Sequence, residues 1–141
     1  MAIAPVIDPS ALERVKVDEG FRAQAYRDTA GKLTIGYGFN VDAGISEFAA
    51  SALCDAQLQE RASFLQRFWW ARDLDPVRFG VIVEMAFNLG TTGLLNFAQM
   101  LACVGNKDWP GAKAAMLDSD AARELPVRYA RLAEIILTGI P

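Results

Sequence analysis

Three polar side chains in the first quarter of the chain have the types and spacing for acid–base chemistry: Glu19, Asp28 and Thr34. Glu19 falls at the end of a predicted helix, where the helix dipole is negative and disfavours a charged carboxylate. A carboxyl group that keeps its proton near neutral pH can act as a general acid. Asp28 falls in a predicted turn, where it stays ionised, and Thr34 follows on the return strand. Asp28 and Thr34 could together hold a water molecule.

Two carboxyl groups in different surroundings, one acid and one base, are what hydrolysis of a glycosidic bond requires. A gap of roughly 6.5–9.5 Å between them leaves room for a water molecule and inverts the anomeric centre. A gap of about 5 Å makes the aspartate a nucleophile and retains the configuration. The sequence leaves both open. The alternative without catalysis is a solvated glutamate at a helix end and an aspartate that only shapes a turn.

The composition narrows the choice of chemistry. The 141 residues include no histidine, with 17 acidic and 14 basic side chains and a net charge of −3. Without histidine there is no Ser-His-Asp or Cys-His nucleophile system and no imidazole ligand for zinc. The acidic balance argues against general nucleic-acid binding. We expect no cofactor and no metal, and we expect Cys54 and Cys103 to be buried free thiols.

The elements that position these residues follow from the hydrophobic pattern. A capping box at 10–13 predicts a short helix that ends at Gly20. Glycines and β-formers over 21–40 predict a twisted hairpin with its turn at 28–31. Further helices are predicted to begin at Ser46, Pro76, Asn96, Asp108 and Pro126. The predicted class is α+β, with a small β-hairpin lobe and a mainly helical C-terminal lobe joined by a long helix.

We expect a single domain over residues 1–141. Within it, the N-terminal helix and β lobe take about 10–45, the linking helix about 46–70, and the helical lobe about 71–141. The apolar run 79–89 is predicted to be a buried core helix, because no stretch reaches the ~18 consecutive apolar residues of a membrane span.

Three runs of residues surround the candidate acid and base: Asp18–Arg22, Tyr26–Thr29 and Gly31–Gly38. Together they resemble the catalytic segment of the phage-type lysozymes, the endolysins of the T-even phage lysozyme family. That family places a glutamate, eight residues, an aspartate, five residues and a threonine, as this chain does. Met85–Gly90 is similar to the family's central bundle helix, and Pro126–Arg131 matches more weakly, so the resemblance covers nearly the whole chain.

The resemblance implies a lysozyme-like fold and muramidase activity, the hydrolysis of the β-1,4 bond between N-acetylmuramic acid and N-acetylglucosamine in peptidoglycan. It implies that Glu19 protonates the leaving oxygen. It also implies that Asp28 and Thr34 position and activate the attacking water, with inversion at the anomeric centre.

The resemblance also implies residues that bind the substrate and one that tunes the acid. Phe87 and Asn88 match family positions that line the cleft from the helical lobe, and Gly38 and Asn40 would line it from the hairpin side. Arg128 matches an arginine near the catalytic glutamate and would tune its protonation, since a neighbouring cation favours the ionised carboxylate. This opposes the helix-end effect, and the residues alone leave the balance open.

One departure and several alternatives accompany the resemblance. Phe39 stands where the family often has a histidine, outside the three catalytic positions, so the change concerns a local contact. A non-catalytic peptidoglycan-binding protein with the same fold is one alternative, and the presence of Glu19 argues against it. A lytic transglycosylase, which needs no water-activating aspartate, is another, and the pair of Asp28 and Thr34 argues against it. A helical interaction protein is what composition alone would allow.

The predicted partner is bacterial peptidoglycan. We expect the protein to be a monomer that binds no nucleic acid and does not insert stably into a membrane. Residues 1–10 lack the basic region and the long apolar run of a signal peptide. We therefore expect synthesis in the cytoplasm of a bacterial host and action on the cell wall after release. The resemblance implies release through a phage holin.

Overall fold

The computed structural model describes residues 3–141. The chain divides into two compact units, the first ending at Ala50 and the second running over Ser51–Pro141. The first unit contains α1 (Pro9–Glu19), β1 (Arg22–Arg27), β2 (Leu33–Gly36) and β3 (Phe39–Asn40). The boundary between the units lies inside α2 (Glu47–Leu65), the long helix that the pattern predicts from residue 46.

The N-cap of helix α1 lies two residues earlier than the sequence pattern predicts. The Asp8 carboxylate accepts the Ser10 N–H and the Ser10 hydroxyl, so Asp8 is the N-cap. Pro9 then takes the first helical position, where its missing N–H costs no hydrogen bond. The predicted capping box at 10–13 is therefore wrong. The predicted end of the helix at Gly20 is confirmed, since Gly20 has φ +69°.

The three strands form one antiparallel sheet in the order β1-β2-β3. Thr34 on the central strand lies opposite Tyr26 on β1 and opposite Asn40 on β3. The pairing of β1 with β2 is irregular between Arg22 and Tyr26. This sheet, set among helices, confirms the predicted α+β class.

The second unit is helical. After α2 come a 3-10 turn (Trp69–Ala71), α3 (Pro76–Leu95), α4 (Ala98–Gly105), α5 (Trp109–Leu117), α6 (Asp120–Glu124) and α7 (Pro126–Thr138). Gly90 interrupts α3 with φ +75° and ψ 159°, where the sequence predicts a helix end. Asn96 is the C-cap of α3 and not the predicted N-cap of the next helix, since α4 starts after Phe97 without a side-chain cap. The short α6 has no counterpart among the predicted helices.

The buried core lies in the second unit. Every buried apolar side chain of residues 3–141 falls between Leu65 and Ile136. The apolar run predicted as core contributes Val81, Ile82 and Met85. No single helix in this part of the chain is long and apolar enough to cross a membrane, although α3 and α4, bent by 104°, meet that length and composition as a pair.

The two cysteines are unpaired. Cys103 is half-buried, and burial together with Asp108 raises the pKa of its thiol. Cys54 is exposed on α2. The prediction that both thiols are buried is therefore wrong for Cys54, because it lies on the solvent side of its helix.

Candidate active site

Glu19 is the last residue of α1, and its carboxylate lies against the turn between β2 and β3. It is exposed and takes part in no ion pair or side-chain hydrogen bond found within residues 3–141. Its close neighbour is Gly38. A Cβ atom built on Gly38 would approach the Glu19 Cδ to 2.8 Å, so the carboxylate occupies the space that a larger residue would fill. Gly38 also has φ +74°, a conformation that glycine adopts without strain.

Asp28 closes the turn between β1 and β2. Its Oδ1 accepts the N–H of Ala30 at 2.9 Å and the N–H of Lys32 at 2.8 Å. The Gly31 N–H bonds to the Asp28 carbonyl at 2.9 Å, and Gly31 has φ +80°. This is the turn chemistry that aspartate and glycine favour. Oδ1 accepts both side-chain hydrogen bonds, and these fix the orientation of the half-buried carboxylate. Oδ2 is left as an acceptor for a further donor.

Thr34 lies on the central strand and is 5% exposed. Its hydroxyl donates to the Lys32 carbonyl at 3.0 Å, and the same carbonyl accepts the Asp28 N–H at 3.0 Å. Asp28 and Thr34 are therefore anchored to the backbone of one residue, Lys32. Since the Thr34 proton is already donated, its oxygen is left as a hydrogen-bond acceptor.

Asn40 lies beside Thr34 in the sheet. Its Oδ1 accepts the Ala43 N–H at 3.3 Å, so the side chain also holds the loop after β3. Phe39 is 63% exposed, and a Cβ atom built on Gly36 would approach the Phe39 ring to 2.9 Å. The aromatic ring that replaces the expected histidine thus packs on a glycine of the neighbouring strand and makes no polar contact.

The second unit holds the other predicted substrate-binding residues, Phe87 and Asn88, on α3. Phe87 is 41% exposed. Asn88 is half-buried, and its Oδ1 accepts the Tyr129 hydroxyl of α7 at 2.9 Å. Burial raises the pKa of the Tyr129 phenol, with Arg128 opposing and Glu84 adding to the shift. The phenol therefore remains a donor, and the Asn88 amide NH₂ is directed away from it.

Arg128 is exposed on α7. It lines a shallow cavity of about 440 Å³ together with Arg131 and residues 124–127. Arg131 pairs with Glu84 at 3.4 Å. The proximity of Arg128 to Glu19, which the resemblance implies, stays a prediction.

Comparison with known proteins places this geometry in a family. The phage lysozyme family matches residues 16–126, which include the glutamate, the aspartate and the threonine described above. The chain belongs to the phage lysozyme family. It is also 24% identical over 161 aligned positions to "Probable T4-type lysozyme 1" of Dictyostelium discoideum, an alignment that covers 92% of this chain and 95% of that protein.

Membership in the phage lysozyme family makes the chain a lysozyme-type glycoside hydrolase, and peptidoglycan is the substrate of that class. Glu19, Asp28 and Thr34 all belong to the first unit of this family member, on adjoining parts of one small sheet and the helix before it. Phe87 and Asn88 lie within the matched range, whereas Arg128 lies beyond it.

Two residues that hold others in place could not be found from the sequence. Lys32 supplies the backbone groups that anchor Asp28 and Thr34, and an exposed lysine in a turn gives no such signal. Tyr129 fixes Asn88 from 41 residues away. A periodicity argument predicts Tyr129 as core but not as a hydrogen-bond donor, because the partner depends on how α3 and α7 pack.

Proposed function

We propose that this chain cleaves the β-1,4 bond between N-acetylmuramic acid and N-acetylglucosamine in peptidoglycan by hydrolysis with inversion. Glu19 donates its proton to the glycosidic oxygen as that bond breaks. Asp28 takes a proton from a water molecule that attacks the anomeric carbon from the opposite face. The pair thereby divides the acid and base roles of an inverting glycosidase.

The observation that carries the proposal is the shared anchoring of Asp28 and Thr34 on Lys32. Because the Thr34 proton is donated to the Lys32 carbonyl, the threonine oxygen can only accept from a water molecule. A water that donates one proton to Asp28 Oδ2 and the other to Thr34 Oγ1 directs a lone pair away from both. That lone pair is the nucleophile that hydrolysis needs, and fixing its direction lowers the entropic part of the barrier.

The placement of Glu19 supports the acid role. Within residues 3–141 its carboxyl takes part in no hydrogen bond that would compete for the proton, and the Gly38 contact limits where it can lie. General acid–base catalysis of this kind contributes on the order of 10²- to 10⁴-fold in rate.

The test is an analysis of products by mass spectrometry after purified protein is incubated with peptidoglycan in H₂¹⁸O. Hydrolysis predicts new reducing ends that carry one ¹⁸O atom. A lytic transglycosylase would instead release anhydro sugars without ¹⁸O, and a binding protein would release nothing. Either of the last two results contradicts the proposal.

A variant series assigns the roles. We expect Asp28→Ala to lose most of the release of reducing ends, because the water loses its base. Asp42→Ala is a matched control, since Asp42 is also a turn carboxylate of the same unit that accepts a backbone N–H, from Leu33 at 3.0 Å. If Asp28→Ala releases reducing ends as fast as an active Asp42→Ala control, Asp28 has no part in the mechanism.

A further inference from the structure

Arg61 on α2 is a half-buried arginine of the second unit. Its Nε donates to the Ala86 carbonyl at 3.3 Å and its Nη1 donates to the Gln57 carbonyl at 3.0 Å. The guanidinium lies 5.2 Å from the centre of the Phe87 ring. Two hydrogen bonds and one cation–π contact therefore hold a half-buried cation in a fixed place beside Phe87.

The charge of Arg61 is not balanced by a carboxylate of the described residues, since none of the ion pairs found in 3–141 includes it. A guanidinium has five N–H donors. Two of them meet backbone carbonyls here, and three are left.

Arg78 shows what a structural arginine looks like in the same unit. It is also half-buried and also packs on an aromatic ring, that of Trp109, at 4.0 Å. Like Arg61, it donates to two backbone carbonyls, those of Ile136 and Leu137. Unlike Arg61, it also pairs with Asp75 at 3.0 Å. The difference between the two is the carboxylate, which Arg61 lacks.

We propose that Arg61 binds a carboxylate of the peptidoglycan strand next to Phe87, an inference that rests on the proposed function. N-acetylmuramic acid carries a lactyl carboxyl group, and the peptides attached to the strand carry further carboxylates, whereas N-acetylglucosamine carries none. A planar guanidinium with free N–H groups binds a carboxylate through two parallel hydrogen bonds. Arg61 thus makes this part of the second unit selective for the acidic sugar or its peptide over a neutral polymer of N-acetylglucosamine.

The experiment measures binding by isothermal titration calorimetry, with the full chain carrying Glu19→Gln so that no ligand is cleaved. Three ligands are compared: chitotetraose, which is neutral; a GlcNAc-MurNAc tetrasaccharide with free lactyl groups; and the same tetrasaccharide with its peptides. We expect Arg61→Gln to weaken binding of an acidic ligand about tenfold, since hydrogen bonds to charged groups are lost. Binding of chitotetraose should change by less than about twofold, because it has no carboxylate.

Arg67→Gln is the matched control. Arg67 lies on the same stretch of chain, with its guanidinium 4.9 Å from the Phe64 ring, and is exposed. It should leave binding of all three ligands unchanged. Arg61→Lys keeps the charge without the planar donors and should fall between the parent and Arg61→Gln for the acidic ligands.

The pattern of loss identifies the source of the carboxylate. Selective weakening with the peptide-free tetrasaccharide assigns the lactyl group, and weakening only with the peptide-bearing ligand assigns the peptide. Equal weakening of all three ligands would mean that Arg61 only supports Phe87 and would overturn the inference. The inference would also be overturned if Arg61→Gln weakened binding of no ligand. The same holds if the chain carrying only Glu19→Gln bound no acidic ligand. Release of reducing ends by the wild-type chain is measured separately, so the inference can fail while the proposed function stands.

Discussion

The two units of this protein are stabilised in different ways. In the first unit, Thr34 is the one buried residue among positions 3–50. The shape of the first unit is set by backbone hydrogen bonds, glycines with positive φ and the Asp28 turn. In the second unit, apolar side chains of all six helices, α2 to α7, are buried, Ile82 and Tyr129 completely. The difference indicates that the first unit holds the proposed acid and base at defined positions and that the second supplies most of the free energy of folding.

The largest effect should come from opening a cavity in the second unit. Ile82→Ala removes three carbons from a fully buried side chain and should lower the free energy of unfolding by about 2–5 kcal/mol. Ile45→Ala is the control in the first unit, where Ile45 is 62% exposed, and should change it by no more than about 0.5 kcal/mol. Urea unfolding of both variants measures the difference. A similar loss at the two positions would break the comparison.

Gly38→Ala should have the next largest effect, a loss of activity in addition to the folding cost of an alanine at φ +74°. The added methyl group would displace the Glu19 carboxylate, which is the flexible end of a side chain and can move. Misplacement of a catalytic group by about 1 Å costs on the order of 100-fold in rate. Initial rates of reducing-end release test this expectation.

Gly44→Ala controls for backbone strain in that experiment. Gly44 also has positive φ, +78°, but a Cβ atom there meets nothing within 4 Å. Gly44→Ala should therefore lower the free energy of unfolding through its unfavourable φ but leave the activity unchanged. If both variants lose activity equally, strain rather than the position of Glu19 explains the effect of Gly38→Ala.

Thr34→Val tests the one buried polar group of the first unit. The valine keeps the shape but loses the acceptor for the water, and the rate should fall about tenfold, the equivalent of one hydrogen bond. The Lys32 carbonyl keeps its bond from the Asp28 N–H, so the free energy of unfolding should fall by only about 1 kcal/mol. Thr34→Ser restores the hydroxyl and should restore most of the rate. Full activity of Thr34→Val would show that its oxygen holds no reacting water.

The smallest effect concerns the pH dependence of stability in the second unit. Burial of Asp75 disfavours its charge, but the N–H and the guanidinium of Arg78 outweigh that cost and hold its pKa below the usual 3.8. The ionised form therefore stabilises the fold above pH 3.8, and this contribution is lost as the pH falls through the lowered pKa. Asp75→Asn keeps an N-cap without the charge and should cost about 0.5 kcal/mol at pH 7.

Unfolding of wild type and Asp75→Asn at pH 7, 5 and 2 checks the sign. The difference between them should be present at pH 7 and 5 and should shrink at pH 2. A difference that grows at low pH would mean that the Asp75–Arg78 pair does not stabilise this unit.

The sequence was informative where local chemistry decides the structure. The spacing of Glu19, Asp28 and Thr34 and the turn at 28–31 could be read directly, since turns and caps depend on neighbouring residues. The sequence does not predict the N-cap at Asp8, because Ser10 offers a competing capping pattern two residues later. The short α6 was missed because five residues hold too little periodicity to register.

The contacts that depend on how helices pack could not be predicted from the sequence. The hydroxyl of Tyr129 meets Asn88 only because α7 lies against α3, and Arg61 meets Phe87 only because α2 lies beside the same helix. No spacing rule links residues that far apart in the chain. The catalytic roles rest on the first kind of feature, and the proposed carboxylate site rests on the second.

The most direct test of the central claim is one paired measurement on Glu19→Gln: the rate of reducing-end release from peptidoglycan and the thermal midpoint of unfolding. Glu19 is exposed and its substitution removes only the acid, so we predict a rate at least about 100-fold below wild type. The midpoint should move by no more than about 2 °C. Wild-type rates of release by folded Glu19→Gln would contradict the account.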